Sequence, residues 1–437
     1  MKISRRTLVF QLCVSAALLL PGTAWAGGAV YAMTNALASA GGNQIVVWGR
    51  ATDGTLTYKQ TIATGGTGSG VQIAAADSLG SQGALVLDVE HHHLFAVNTN
   101  SHGVNTPPTT TNYDCNAGSI TSFLIAKDGT LTVADNVPSG GLFPDSLTVQ
   151  GNSLYVLNAG GGLASSCGTT SPNITGFHVS PDGHLRPITG STQPINPGPT
   201  SGTGENCSGF ATLLPYLDCG LNPPAFPRSP AQIGFTPDGD KLVVTVKGTN
   251  SIYVFPFDGK APGAPTITQA PGPTIPTYFG FSFDDAGHLI VAEPFGTAHS
   301  IPAAGASAVS SFTITRRGDL IPISTDVANA QALSCWVAID PITQRYAYID
   351  NNGSNNISSY TIGHDGSLTL LQANAATGSG GNDMAVARDR GGAFLYALNA
   401  TNGKVGAWTI NHDGSLTSIG AVTGLPAAAG AQGLAAY

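Results

Sequence analysis

Residues 404–417 read KVGAWTINHDGSLT, and the chain writes this sentence seven times. Each copy opens with an Ile or Val followed three residues later by an aromatic: Ile45/Trp48, Ile120/Phe123, Ile174/Phe177, Ile252/Phe255, Val309/Phe312, Ile357/Tyr360 and Val405/Trp408. Two positions further on, six copies carry another apolar residue, and the first carries Arg50. Then comes Asp-Gly, at Asp53-Gly54, Asp128-Gly129, Asp182-Gly183, Asp258-Gly259, Asp365-Gly366 and Asp413-Gly414, with Arg317-Gly318 in the fifth copy. A Leu two residues after the Gly usually restarts the pattern, as at Leu56, Leu131 and Leu416. β-Branched and aromatic residues fit a pleated, half-buried surface. Asp-Gly supplies the positive φ angles that a tight strand-to-strand turn needs. Each copy therefore predicts a β-hairpin, and a hairpin repeat of this period builds propellers or solenoids.

Each hairpin supplies strands c and d of a four-stranded blade, so strands a and b should precede it. Blade four is the most compact copy, AQIGFTPDGDKLVVTVKGTNSIYVFPFDG, residues 231–259. Blade one has a strand b in Gly28 to Asn35 and no room for a strand a. Gly430 to Tyr437, GAQGLAAY, reads as a strand a without a blade. The expected fold is an all-β, seven-bladed β-propeller over residues 27–437, closed by the C-terminal strand completing blade one. Such closure leaves no open sheet edge. A Pro- and Gly-rich insert interrupts the pattern at about residues 192–230.

Charged residues make up only 10% of the chain and the net charge is −8, with no basic run, which argues against a nucleic-acid partner. Residues 1–26 read as a signal peptide: Lys2, Arg5 and Arg6, an apolar stretch to Leu20, then Ala24-Trp25-Ala26. Ser4-Arg5-Arg6-Thr7-Leu8-Val9 also resembles a twin-arginine signal. The apolar stretch is too short to favour an anchor, and no other segment suits a bilayer span. The expectation is a periplasmic or secreted monomer. That compartment permits disulfides. Cys207 and Cys219 share the insert, and Cys115 and Cys167 occupy the same b–c connection of adjacent blades. Both pairs are expected to bridge, leaving Cys335 a free buried thiol at the start of strand a of blade six.

The stretches FTPDGDKLVV (235–244), LYVLNAG (154–160), FLYALNAT (394–401) and the repeated DGSLT resemble the lactonase-type seven-bladed propellers. This is the family of bacterial 6-phosphogluconolactonase and fungal carboxymuconate cycloisomerase. The resemblance covers essentially the whole chain after the signal. It implies a propeller and a lactone chemistry carried by His, Arg and Glu where strands a begin and strands b end. This chain departs from that pattern. Blade four has Ala231-Gln232 where the family often has Arg-His, and Val246-Lys247 where an Asn-Glu pair often ends strand b. Ser146, Gly280, Trp336 and Asp383 hold the other channel-mouth positions.

The short Asp-Gly turns all fall on one face. The long segments 99–118, 160–172, 192–230 and 293–307 fall on the other. Loops held by a rigid scaffold carry function, so the channel mouth beneath them is the expected ligand site. Arg228 could hold a carboxylate or phosphate by paired hydrogen bonds, or simply anchor its loop. Glu293, at the end of strand b of blade five, could be a general base or half of a structural ion pair. His102 and His299 could shuttle protons or lie on the surface, and Lys247 reads as a solvated lysine. His91-His92-His93 falls on an a–b turn of the plain face, so no metal is expected there, and no cofactor cradle is visible. Two readings stand. One is a lactonase-like hydrolase acting on a sugar or aromatic lactone. The other is a non-catalytic binding propeller for a small molecule, glycan or protein. A cation-dependent hydrolase, ranked last, would need Asp350, Asp383 and Glu293 to converge.

Overall fold

In the computed structural model, which describes residues 27–70, 77–100, 118–160, 171–195, 230–269, 278–294, 305–378 and 381–437, the Asp-Gly signal folds into a three-residue loop. In blade one, Gly54 N–H donates to Ala51 O and Ala51 N–H to Thr55 O. Gly54 has φ 84°, and the repeat glycines from Gly129 to Gly414 share this left-handed backbone. A tight two-residue turn would need positive φ at the Asp as well. Here the Asp has another task. Asp53 Oδ1 accepts the Thr55 N–H at 3.0 Å and its hydroxyl at 2.6 Å. The same clasp recurs at Asp128–Thr130, Asp365–Ser367 and Asp413–Ser415. Asp-Gly-Ser/Thr is thus one motif, and these bonds hold the Asp carboxyls below their ordinary range.

The hairpins belong to seven antiparallel sheets arranged as a ring. Ile and aromatic three residues apart point to opposite faces of a strand. Both are buried in every copy, because strand c is covered by a neighbouring blade on each side. The innermost strands are Leu434–Ala436, Leu85–Asp88, Pro144–Gln150, Pro230–Phe235, Phe281–Phe283, Ser334–Ile339 and Asp383–Asp389, for blades one to seven. In blade three the short strand Gln193–Pro194 pairs with Asn173 and Ile174. The start of the Pro-rich insert therefore completes a blade edge.

Closure follows the expected route. Leu434–Ala436 pairs antiparallel with Gly28–Met33, setting Leu434 opposite Ala32 and Ala436 opposite Val30. Arg50, the one departure from the repeat at its position, is the clasp. It is fully buried. Its Nε donates to Tyr437 O at 2.9 Å, Nη2 to Gly27 O at 2.6 Å, and Nη1 pairs with Asp389 Oδ2 of blade seven at 3.2 Å.

Neighbouring blades are also tied by side-chain hydroxyls that reach the next blade's turn. Tyr31 donates to Gly129 O, Tyr348 to Gly414 O and Tyr396 to Gly54 O, all from strand b. Blades two and five lack the Tyr, and the register partner on strand c replaces it. Ser122, opposite Phe95, donates to Gly183 O, and Ser311, opposite Ile290, donates to Gly366 O. In blade four the same row reads Val243, Val254, Thr266, and Thr266 reaches Arg317 O. Only the junction from blade three to blade four lacks such a bond among the described residues: the Tyr155 hydroxyl is buried without a partner.

Candidate functional site

At the loop end of the channel lies residues 77–83, Asp-Ser-Leu-Gly-Ser-Gln-Gly, on the connection from blade one to blade two. This segment crosses the mouth and bonds to blades all round it. On the closing strand's side, Gln432 Nε2 donates to Ser81 O at 2.7 Å and to Asp77 Oδ1 at 2.9 Å, while Leu79 N–H donates to Gln432 Oε1. Towards blade three, Ser81 Oγ donates to Asp145 O and Ser146 Oγ to Gln82 O. Towards blade four, Gln82 N–H donates to Ala231 O. Towards blade six, Trp336 Nε1 donates to Ser81 O, and the Gln82 side chain exchanges two bonds with the Val337 backbone at 2.9 and 3.0 Å. Gly80 and Gly83, at φ 66° and 85°, let the backbone turn this tightly. The segment is a plug.

The ionisable groups of the channel gather beside it. Lys247, expected to be solvated, is buried with 1% of its surface exposed. The reason is the plug. The ammonium donates to Gly80 O and to Pro230 O, and lies 4.8 Å from the centre of the Phe279 ring. Burial pulls its pKa down to about 8 against the pull of Asp77 and Asp145. Burial pushes the Asp77 carboxyl up to about 6 and that of Asp350 to about 7. Asp145 and Asp383 are driven well above the usual carboxylate range by the same cause. Asp77 Oδ2, both Asp145 oxygens, Asp350 Oδ2 and Asp383 Oδ2 are buried with no hydrogen-bond partner among the described residues. Cys335 is a free, buried thiol that feels Asp77, Lys247 and Asp350.

The structure thus brings Asp350 close enough to Asp383 to help raise its carboxyl, and sets Glu293 apart. Glu293 is buried in blade five against Asp326 and Ser310 of its own outer strands. Burial and the hydrogen bond to Asp326 drive its carboxyl well above the ordinary range. Among the described residues, no three potential metal ligands converge. Arg228, His102, His299, Cys115, Cys167, Cys207 and Cys219 lie outside the described residues. Sequence reasoning passed over Asp77, Asp145, Gln82 and Gln432. Asp145 was within reach, one residue before Ser146 at a channel-mouth position. The plug was not, because a run of small polar residues reads as an ordinary loop.

The ring, its closing strand and its inner strands define a seven-bladed β-propeller. Residues 295–430 match the family model described as lactonase, 7-bladed beta-propeller. No protein of curated function matches the sequence. Among solved structures, a candidate 6-phosphogluconolactonase from Bacteroides fragilis superposes with a TM-score of 0.62 at 16% identity, over 95% of this chain and 99% of that one. A periplasmic gluconolactonase from Pseudomonas aeruginosa gives a TM-score of 0.60 at 15% identity, over 91% of this chain and 98% of that one. At such identities these structures speak for the fold.

Proposed function

We propose that the protein is an exported lactonase-like hydrolase that opens a sugar or aromatic lactone at the loop end of the channel. The observation that carries this reading is Asp350: a buried carboxyl beside the channel mouth, with one oxygen unpartnered and a pKa near 7. Lactone hydrolysis adds water to the ester carbonyl and then breaks the ring C–O bond, giving a hydroxy acid. A carboxyl titrating near the working pH is matched to taking the proton from that water and returning it to the departing ring oxygen. Arg228, two residues before blade four's inner strand, is assigned to the carbonyl or to an anionic substituent of the substrate, with His102 and His299 as proton shuttles. The positively charged, apolar N-terminal 26 residues and a periplasmic neighbour in the fold family support export.

The test is a panel of sugar and aromatic lactones followed by acid release. Asp350→Asn should lower kcat about 100-fold or more and remove the pH limb near 7. Arg228→Lys keeps the charge and loses the planar paired donors, so on an anionic lactone it should impair turnover nearly as much as Arg228→Ala. Turnover unchanged in Asp350→Asn overturns the site. Wild type inactive on every lactone favours the binding-propeller reading, which the plugged mouth independently supports.

A further inference from the structure

On the far side of the plug, the channel is a cavity of about 540 Å³ lined by the inner strands of all seven blades. Its wall runs from Asp383 at the plugged end past Val386, three residues or about 10 Å along the strand, to Pro341 and Gln344 at the short-turn face. The wall is mixed: the side chains that keep some exposure include Val86, Val386 and Ala436 beside Thr148, Gln232 and Ser282. Two of its polar side chains are already committed. Gln82 is locked to Val337, and Gln232 exchanges bonds of 3.1 and 2.7 Å with the Phe281 backbone. Asp383 is different. Its Oδ1 accepts the Met384 N–H, and its Oδ2 has no partner, although the residue is only 2% exposed. Asp77 and Asp350 lie near enough to disfavour its charge, while Lys247 sits with Asp77 and Asp145. No set of three metal ligands converges among the described residues, so a small inorganic ion finds no cage.

We propose that this channel is a second ligand site, which takes an organic primary ammonium with an apolar body, the ammonium on Asp383 Oδ2 and the body along Val86, Val386 and Ala436. An ammonium supplies a donor for the orphaned oxygen, and its charge favours the ionised carboxyl. Val86, Val386 and Ala436 offer its apolar stem contacts along the wall. The volume lies within the range of roughly 300–1,000 Å³ that small-molecule sites occupy. Burial and the neighbouring Asp77 and Asp350 hold the Asp383 carboxyl well above the ordinary range. Binding a cation opposes that shift. The carboxyl ionises more readily, an ion pair forms, and its proton is released to solvent.

Calorimetric titration with 2-phenylethylamine at pH 7.5, in buffers of different ionisation heat, reads both binding and the released proton. The alcohol of the same shape, 2-phenylethanol, is the control. The amine should bind at least ten-fold more tightly than the alcohol, with net release of protons. Asp383→Asn should abolish proton release and weaken the amine ten-fold or more. Val386→Trp, which fills the channel without touching the carboxyl, should weaken amine and alcohol alike. No amine binding to wild type, equal binding of the alcohol, or unchanged proton release in Asp383→Asn each overturns the proposal. None of these readouts depends on lactone turnover, so the channel site and the hydrolase reading fail separately.

Discussion

Tyr155 and Tyr348 occupy the same row of strand b in blades three and six, and their hydroxyls meet different fates. Tyr348 OH donates to Gly414 O in the next blade's turn at 3.0 Å. Tyr155 OH is buried with no acceptor. The cause lies in blade four, whose turn after Asp258 is stretched by a bridge between Phe257 and Pro262. A side chain on Gly259 would meet nothing within 4 Å, whereas one on Gly414 would strike the Tyr346 ring. A buried hydroxyl that keeps its partner contributes about 0.5–1.5 kcal/mol net, and one without a partner costs free energy. Tyr348→Phe should therefore destabilise the protein by about 1 kcal/mol, and Tyr155→Phe should be neutral or stabilising. Denaturant unfolding of the two variants checks this. Equal effects in both variants would show that the Tyr348–Gly414 hydroxyl bond adds no net stability.

Among elements, the hairpin was legible because every copy carries its own signal: the odd Ile-to-aromatic spacing, the left-handed Gly, and the Asp-Gly-Ser/Thr clasp. Those are local, and sequence shows local physics well. Closure was legible by subtraction, since blade one lacked a strand and the chain's last residues offered one. The plug and the burial of Lys247 were not legible. Each depends on residues far apart in the chain, such as Gly80 with Lys247, or Gln432 with Asp77, meeting at the channel axis. Arg50 shows both sides of this. The sequence marks it as the one polar residue at an apolar repeat position, and only the structure shows it holding Tyr437, Gly27 and Asp389 together. Removing one partner of a buried ion pair costs about 3–5 kcal/mol. Arg50→Met should approach that loss, and deletion of residues 430–437 should exceed it, because an inner strand goes with the clasp. A melting temperature unchanged in both variants would mean that the ring is held elsewhere.

For the molecule as a whole, the buried carboxyls set how stability responds to pH. Asp77 and Asp350 have folded pKa values of about 6 and 7 against an ordinary 3.8, and Asp145 and Asp383 are also raised. In each, desolvation is the largest cause, so the folded state prefers the protonated form. The sign follows from proton counting. Below about pH 4 these groups are protonated in both states, and their full contribution is present. As pH rises from 4 towards 7, the unfolded chain releases its protons while the folded ring keeps them, and stability falls. Lys247, with a folded pKa of about 8, is charged in both states across most of that window and adds little slope. The exposed turn aspartates act in the opposite sense and more weakly, since their carboxyls are lowered and solvated. The protein should therefore melt several degrees higher near pH 5 than near pH 7.5. Asp350→Asn, which fixes the neutral form, should flatten the dependence between pH 5 and 7.5 and raise the melting temperature at the upper end. Thermal unfolding of wild type and variant across this range measures it. A wild-type melting temperature that rises with pH would mean that the four carboxyls are ionised in the folded ring and compensated by charge.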